Sequence, residues 1–177
     1  KQDLDGIYII KPELFKDERG YFFESFRQSE FYNKLNKNFV QDNEVFSKES
    51  NIIRGLHYQV DRSQGKLIHV VSGAIKDIAV DIRVGSPNFG KSYIVKLTAE
   101  NHKMLYIPEG FAHGYLVLEQ NTIVHYKCTN YYDFDSEFGI RWDDPDLNID
   151  WGISDPVISK KDKMLPFLKI QTKLPRF

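Results

Sequence analysis

Four short segments of this chain carry residue types that can move a proton. They are Arg54-Gly55-Leu56-His57, Pro108-Glu109-Gly110-Phe111-Ala112-His113-Gly114, Tyr126-Lys127-Cys128-Thr129 and Ser159-Lys160-Lys161-Asp162. Together they offer a base, an acid, cations and a carboxylate, a set sufficient to exchange a proton on carbon next to a carbonyl. His57 becomes a directed base if a buried carboxylate takes one of its ring N–H groups, which orients the ring and strengthens the other nitrogen. Asp162, far along the chain, is the candidate partner. Tyr126 reads either as a general acid or as a packed core tyrosine with its hydroxyl at the rim. Lys66, Arg54 and Arg19 are ordinarily surface charges; turned inward, they suit a diphosphate or an enolate oxygen. Cys128 has no base partner or helix N-terminus nearby in sequence and reads as a small buried hydrophobe.

The segment Pro108-x-Gly110-x-x-His113 makes a tight turn that aims a histidine back into a sheet. In cupin-type barrels this arrangement supplies a metal ligand. Here the rest of such a ligand set is missing: His57 is followed by Tyr58 and Gln59, and Lys66 lies in the corresponding region, where a cation repels a metal. No metal site is expected. The plain alternative for His113 is a core histidine holding a loop carbonyl.

The elements that must position these groups read as strands. From Ala74 to Val84, Ile78, Val80, Ile82 and Val84 fall on one face, and Asp77, Ala79, Asp81 and Arg83 on the other. The charged face either lines an internal pocket or faces water, and for a generic strand water is the expectation. Further strands are predicted at Lys66–Val71, Ser92–Leu97, Met104–Ile107, Gly114–Leu118 and Thr122–Cys128, with a weak one near Leu4, Ile7 and Ile9. Turn signals at Ser72-Gly73, Gly85-Ser86-Pro87-Asn88, Pro108-Glu109-Gly110 and Gln120-Asn121 separate the main strands. This spacing suits an antiparallel sandwich or barrel. A short helix is predicted at Ser29–Leu35 with Ser29 as its cap. The stretch from Asp143 to Lys163 is expected as loop and short helix laid against the β body.

With 177 residues, 41% of them hydrophobic and 14% aromatic, the chain suits one folded domain over 1–177. The thirteen Phe and ten Tyr favour strands and a flat-walled pocket. A formal net charge of -1 without a basic run argues against a nucleic-acid partner. The single cysteine excludes an intrachain disulfide and points to the cytoplasm. No run of membrane-spanning length and no signal-peptide pattern are present, so no membrane partner is expected.

With those residues in view, the chain resembles the dTDP-4-dehydrorhamnose 3,5-epimerase family from about Ile9 to Leu168. The carrying pieces are Asp17-Glu18-Arg19-Gly20-Tyr21-Phe22-Phe23-Glu24, Phe39-Val40-Gln41-Asp42-Asn43, Arg54 to Gln59, Asp77 to Arg83, Ser86 to Gly90, Ile107 to Gly114, Tyr126 to Thr129 and Ser159 to Asp162. Each alone is weak; their order and spacing together are specific. Two departures stand out. The segment from Gln59 to Lys66 is one residue shorter than usual and lacks a proline, and the segment from Asn43 to Arg54 is one longer, with Asn51 where glycine is usual.

The resemblance implies an all-β, cupin-type antiparallel barrel (a jelly roll) with a few short helices. It implies inversion of C3, C5 or both on a nucleotide-diphosphate 4-keto sugar, without metal or redox cofactor. It assigns His57 as proton acceptor, Asp162 as its carboxylate partner, Tyr126 as proton donor on the opposite face and Lys66 as the cation near the C4 oxygen. Arg19, Glu24, Gln41, Asn43, Arg54, His113, Glu137 and Lys161 match substrate-contact positions, some of them reaching across from a second subunit of a homodimer that exchanges N-terminal strands. The competing readings are an epimerase of one centre only, acting on a GDP-linked or other 4-keto sugar, a non-catalytic sugar-nucleotide-binding cupin, and a ketoisomerase.

Overall fold

The computed structural model describes residues 4–177. Thirteen strands and two α-helices follow one another along it. They are β1 (Tyr8–Ile10), β2 (Phe15–Asp17), β3 (Gly20–Phe22), α1 (Gln28–Leu35), β4 (Gln41–Ser47), β5 (Ile52–Gln59), β6 (Lys66–Ser72) and β7 (Ala74–Asp81). Then come β8 (Ser92–Thr98), β9 (Met104–Ile107), β10 (Phe111–Val117), β11 (Thr122–Cys128), β12 (Glu137–Gly139), β13 (Val157–Ile158) and α2 (Lys160–Lys163). One sheet runs β1-β9-β6-β11-β4. The other runs β12-β5-β10-β7-β8, with β13 added parallel to β5, and β2–β3 form a separate hairpin. The remaining pairings are antiparallel.

The two sheets face each other. Alternate residues of β6, β9 and β11 (Ile68, Val70, Leu105, Ile107, Val124) meet those of β7, β8 and β10 (Ile75, Ala79, Leu97, Phe111, Val117) in one core. Each of these side chains larger than Ala79, fully buried, contributes roughly 1.5–3 kcal/mol. A second core covers the outer face of the six-stranded sheet. There Ile78, Val80, Ile82, Ala112 and Leu116 pack under Leu147, Trp151 and Leu168 of the C-terminal segment. A third covers the outer face of the five-stranded sheet, where Leu67, Met104 and Tyr106 lie under Phe23, Phe26, Phe31 and Phe39 of the N-terminal segment.

The strands at Lys66, Ser92, Met104 and Thr122 fall within one residue of the sequence reading; of the weak N-terminal expectation only Ile9 is in a strand, β1, while Leu4 and Ile7 precede it. The stretch after Asp143 is loop, one short strand and one short helix, and part of it covers the six-stranded sheet. Four expectations need correction. The charged face of the strand at Ala74 does not meet water: Asp77 and Asp81 are wholly buried, because β7 lies inside its sheet with a second sheet over one face and the C-terminal segment over the other. That strand also ends at Asp81, and Val84 pairs instead with Arg176. The strand expected from Gly114 begins at Phe111. Helix α1 starts one residue early, with Arg27 at its N-cap and no side-chain cap, so Ser29 lies inside it.

Asn51 has a left-handed backbone, with φ of 62°. Asparagine is among the few non-glycine residues that accept this conformation readily, so it fits this position. Its N–H donates to Val117 O at 2.8 Å and its carbonyl accepts from Val157 at 2.8 Å, which ties the start of β5 to β10 and β13.

Candidate active site

Between the sheets lies a cavity of about 680 Å³. It exists because the inter-sheet core is not apolar throughout. On β4, β6 and β11 the inward positions change from Val45, Ile68 and Val124 to Gln41, Asn43, Lys66, Tyr126 and Cys128 toward one end.

The geometry of β5 depends on an extra residue. In the β5–β10 ladder His57 faces His113 and Arg54 faces Tyr115, so three steps on β5 oppose two on β10. A regular strand would send Arg54 and His57 to opposite faces. The bulge lets both line the cavity. It is built on Gly55, whose φ is +110° and whose missing side chain leaves room for the β10 backbone.

His57 Nε2 lies 2.8 Å from Asp162 Oδ1. A carboxylate only accepts, so Nε2 donates and Nδ1 remains the free ring nitrogen. Asp162 is placed by its own local chemistry. Ser159 caps α2 by accepting from the Asp162 N–H at 3.0 Å, and the second carboxylate oxygen accepts the Gly55 N–H at 3.3 Å. Burial pushes the Asp162 carboxyl up. The hydrogen bonds from His57 and Gly55 and the contact with Ser159 outweigh it and hold the group below the ordinary aspartate value.

Tyr126 enters from β11, in the opposite sheet. Burial is the main cause that raises its phenol above the ordinary value, so it stays protonated at neutral pH. Lys66 is only 9% exposed. Burial pushes its ammonium below the ordinary lysine value, while Cys128, Glu137 and Asp77 act in the other direction. Glu137 accepts from Lys161 Nζ at 2.5 Å and from the Tyr132 hydroxyl at 2.9 Å. Burial raises its carboxyl, but those two bonds leave it below the ordinary value. Gln41 donates to Asn43 Oδ1 at 3.0 Å and accepts from the Tyr132 N–H at 2.8 Å. Arg54 extends toward the Phe46 carbonyl and Ser47 hydroxyl at 3.5 and 3.4 Å.

Every residue singled out from the sequence lines this cavity except Arg19 and Glu24. Those two sit on the N-terminal segment, paired with their own neighbours. Arg19 bonds Asp17 at 2.5 Å in the exposed β2–β3 hairpin, and Glu24 bonds Arg27 at 2.5 Å. The segment packs on the outer face of the five-stranded sheet, away from the interior of its own chain. Among the described residues no group of three or more His, Cys, Asp or Glu could hold a metal ion.

Three features were not read from the sequence. Cys128 is buried but lines the cavity, where its sulfur accepts weakly from Asn43 at 3.6 Å. Tyr132 and Gln59 also line it. Asp77 lies behind His113, with both carboxylate oxygens 3.0 Å from Nε2, so this histidine holds a strand carboxylate and not a loop carbonyl. The signal for Asp77 was its place on the charged face of its strand, in phase with Ala79 and Asp81; it became informative only once both faces were covered.

A two-sheet jelly roll with ionisable side chains turned into its interior is a cupin-like enzyme scaffold. The family profile described as dTDP-4-dehydrorhamnose 3,5-epimerase matches residues 1–169. The epimerase of that name from Methanothermobacter thermautotrophicus is 48% identical over 167 residues, covering 92% of this chain and 90% of that protein. A crystal structure of dTDP-6-deoxy-D-glucose-3,5-epimerase from Legionella pneumophila, in complex with dTDP-4-keto-L-rhamnose, superposes with a TM-score of 0.94. It shares 43% identity and covers 99% of this chain and 96% of that one. A 3'-monoepimerase from Streptomyces bikiniensis, in complex with dTDP-quinovose, gives a TM-score of 0.89 at 31% identity, covering 95% of this chain and 86% of that one. The chain belongs to the dTDP-4-dehydrorhamnose 3,5-epimerase family and is an epimerase of the isomerase class. No helix among the described residues is long and apolar enough to cross a membrane.

Proposed function

We propose that this enzyme inverts both C3 and C5 of a dTDP-linked 4-keto-6-deoxyhexose, by removing a proton from one face of the sugar and returning one to the other. The observation that carries this reading is the placement of His57 on one sheet and Tyr126 on the other around a single cavity. The 4-keto group acidifies the C–H bonds on either side of it. His57, held by Asp162, takes the proton, and negative charge moves onto the C4 oxygen, where Lys66 stabilises it. Tyr126 then delivers a proton from the opposite side, and the carbon is inverted. Gln41, Asn43, Arg54, His113, Glu137 and Lys161 hold the substrate. Binding energy from the nucleotide diphosphate keeps the ring in a reactive pose.

Arg19 and Glu24 complete the site from a second copy of the chain in a homodimer. Two features support this: both residues lie outside their own cavity, and the hairpin beside Arg19 exposes Phe15, Tyr21 and Phe22. The single cysteine fits a cytoplasmic setting.

The test is incubation with dTDP-4-keto-6-deoxy-D-glucose in heavy water, with the label located by NMR. Deuterium at C3 and C5 with inversion at both is expected. Label at C3 alone would replace the double epimerase with a monoepimerase. No label from this sugar, but label in a GDP-linked one, would overturn the nucleotide assignment. Binding without exchange would reduce the protein to a sugar-nucleotide receptor.

A further inference from the structure

His57 and His113 are directly opposite each other on β5 and β10, and both line the cavity. Each turns Nε2 onto a carboxylate: His57 onto Asp162 at 2.8 Å, and His113 onto both oxygens of Asp77 at 3.0 Å. The second pair is the more deeply set. Asp77 is fully buried and His113 is 8% exposed. Asp77 stands behind the histidine and does not itself line the cavity.

Packing does not account for a carboxylate there. Ile75 and Ala79 flank Asp77 on the same face of β7 and belong to the inter-sheet core. A buried charge is costly to place, and apolar side chains of similar size commonly serve stability as well or better. The other buried carboxylate of this face, Asp81, has a structural explanation. It accepts from Arg83 at 2.9 and 2.7 Å and from Ser86 at 2.7 Å, tying down the turn that follows the strand. Asp77 has no such anchor: among the described residues its side chain hydrogen-bonds to the His113 ring alone. On that ring, Nδ1 makes no hydrogen bond to any described residue.

We propose that Asp77 is a positioning residue of the epimerase reaction: it takes the Nε2–H of His113, fixes the tautomer of the ring, and leaves Nδ1 as the nitrogen that meets the sugar. The reaction itself rests on the substrate reading above. Asp77→Asn keeps the shape but can donate an N–H to Nε2, which moves the ring proton to Nδ1 and reverses what the substrate meets. Orienting carboxylates behind working histidines are worth roughly 10–100-fold where they have been removed from metal sites.

The experiment has two arms. In protein labelled with ¹⁵N-histidine, with the His113 signals identified by their loss in His113→Asn, the proton is expected on Nε2 in the natural protein and not in Asp77→Asn. In kinetics on dTDP-4-keto-6-deoxy-D-glucose, Asp77→Asn is expected to lower kcat/KM by about 10–100-fold. Affinity for dTDP, which lacks the sugar, should be unchanged. Added to His113→Asn, the same substitution should cost nothing more, because its effect runs through a ring no longer present. A natural protein with the His113 proton on Nδ1 would overturn the proposal. So would full activity of Asp77→Asn, or an equal loss in both backgrounds, which would make Asp77 part of general packing. If the natural protein fails to process this sugar, the substrate reading falls, while the tautomer and its response to Asp77→Asn still decide the role of the carboxylate.

Discussion

Gly55→Ala should damage the site through the backbone alone. A Cβ at this position would stand 2.6 Å from His113 O and 2.7 Å from Gly114 Cα, and ordinary contact begins near 3.4 Å. Both obstacles are main chain, so no side chain can swing aside, and β5 must back away from β10 by roughly 0.8 Å. Two costs combine. A φ of +110° is strained for any residue with a side chain, about 1–3 kcal/mol, and forcing packed strands apart adds roughly 1–3 kcal/mol. Their sum, about 2–6 kcal/mol, corresponds to a drop in thermal midpoint of roughly 4–24 °C for a chain of this size. The same displacement moves His57 relative to Asp162, a bond of 2.8 Å, and Arg54 relative to β4. Misplacement by about 1 Å can cost on the order of 10²-fold, so deuterium exchange should fall by roughly 10–100-fold. Gly85→Ala is the control. Its φ is +94°, but a Cβ there meets nothing within 4 Å, so it isolates the conformational cost and leaves exchange intact. Thermal unfolding by circular dichroism and the NMR exchange assay measure both quantities. If Gly55→Ala melts no lower than Gly85→Ala and exchanges at the natural rate, the bulge does not set the site.

His57→Ala should lower exchange at both C3 and C5 by at least about 10²–10⁴-fold; near-normal exchange would remove this histidine from the role of base. Tyr126→Phe should still release substrate hydrogen to solvent but invert poorly, so the ratio of exchange to inversion rises; an unchanged ratio would exclude Tyr126 as the donor. Asp162 and Glu137 are both held below their ordinary carboxylate values, so the stability they contribute is present above pH ~4 and lost as pH falls through their lowered folded-state values. The thermal midpoint should therefore decline below pH ~4, and Asp162→Asn should flatten part of that decline. Parallel curves for the two proteins would show that Asp162 carries no share of it.

The alternation of Val, Ile and Tyr with polar residues determined most of the strands of the body. Order and spacing of short motifs pointed to the family and offered His57, Tyr126, Lys66 and Asp162 as candidates for base, acid, cation and carboxylate. Local pattern could reach that far because a strand's period and a turn's chemistry are written in adjacent residues. It could not say what lies over each face. The Asp77–Asp81 face read as solvent-facing, and only the second sheet and the C-terminal segment made it interior. Nor could it place Arg54 and His57 on one face: three residues apart in a strand they should diverge, and the bulge that unites them is a matter of pairing with β10. Arg19 and Glu24 carried the motif as clearly as His57 did, yet the path of the N-terminal segment took them outside their own cavity. Residue identity supplies the chemistry, whereas which groups share a space depends on strand register and on covering layers brought from distant parts of the chain.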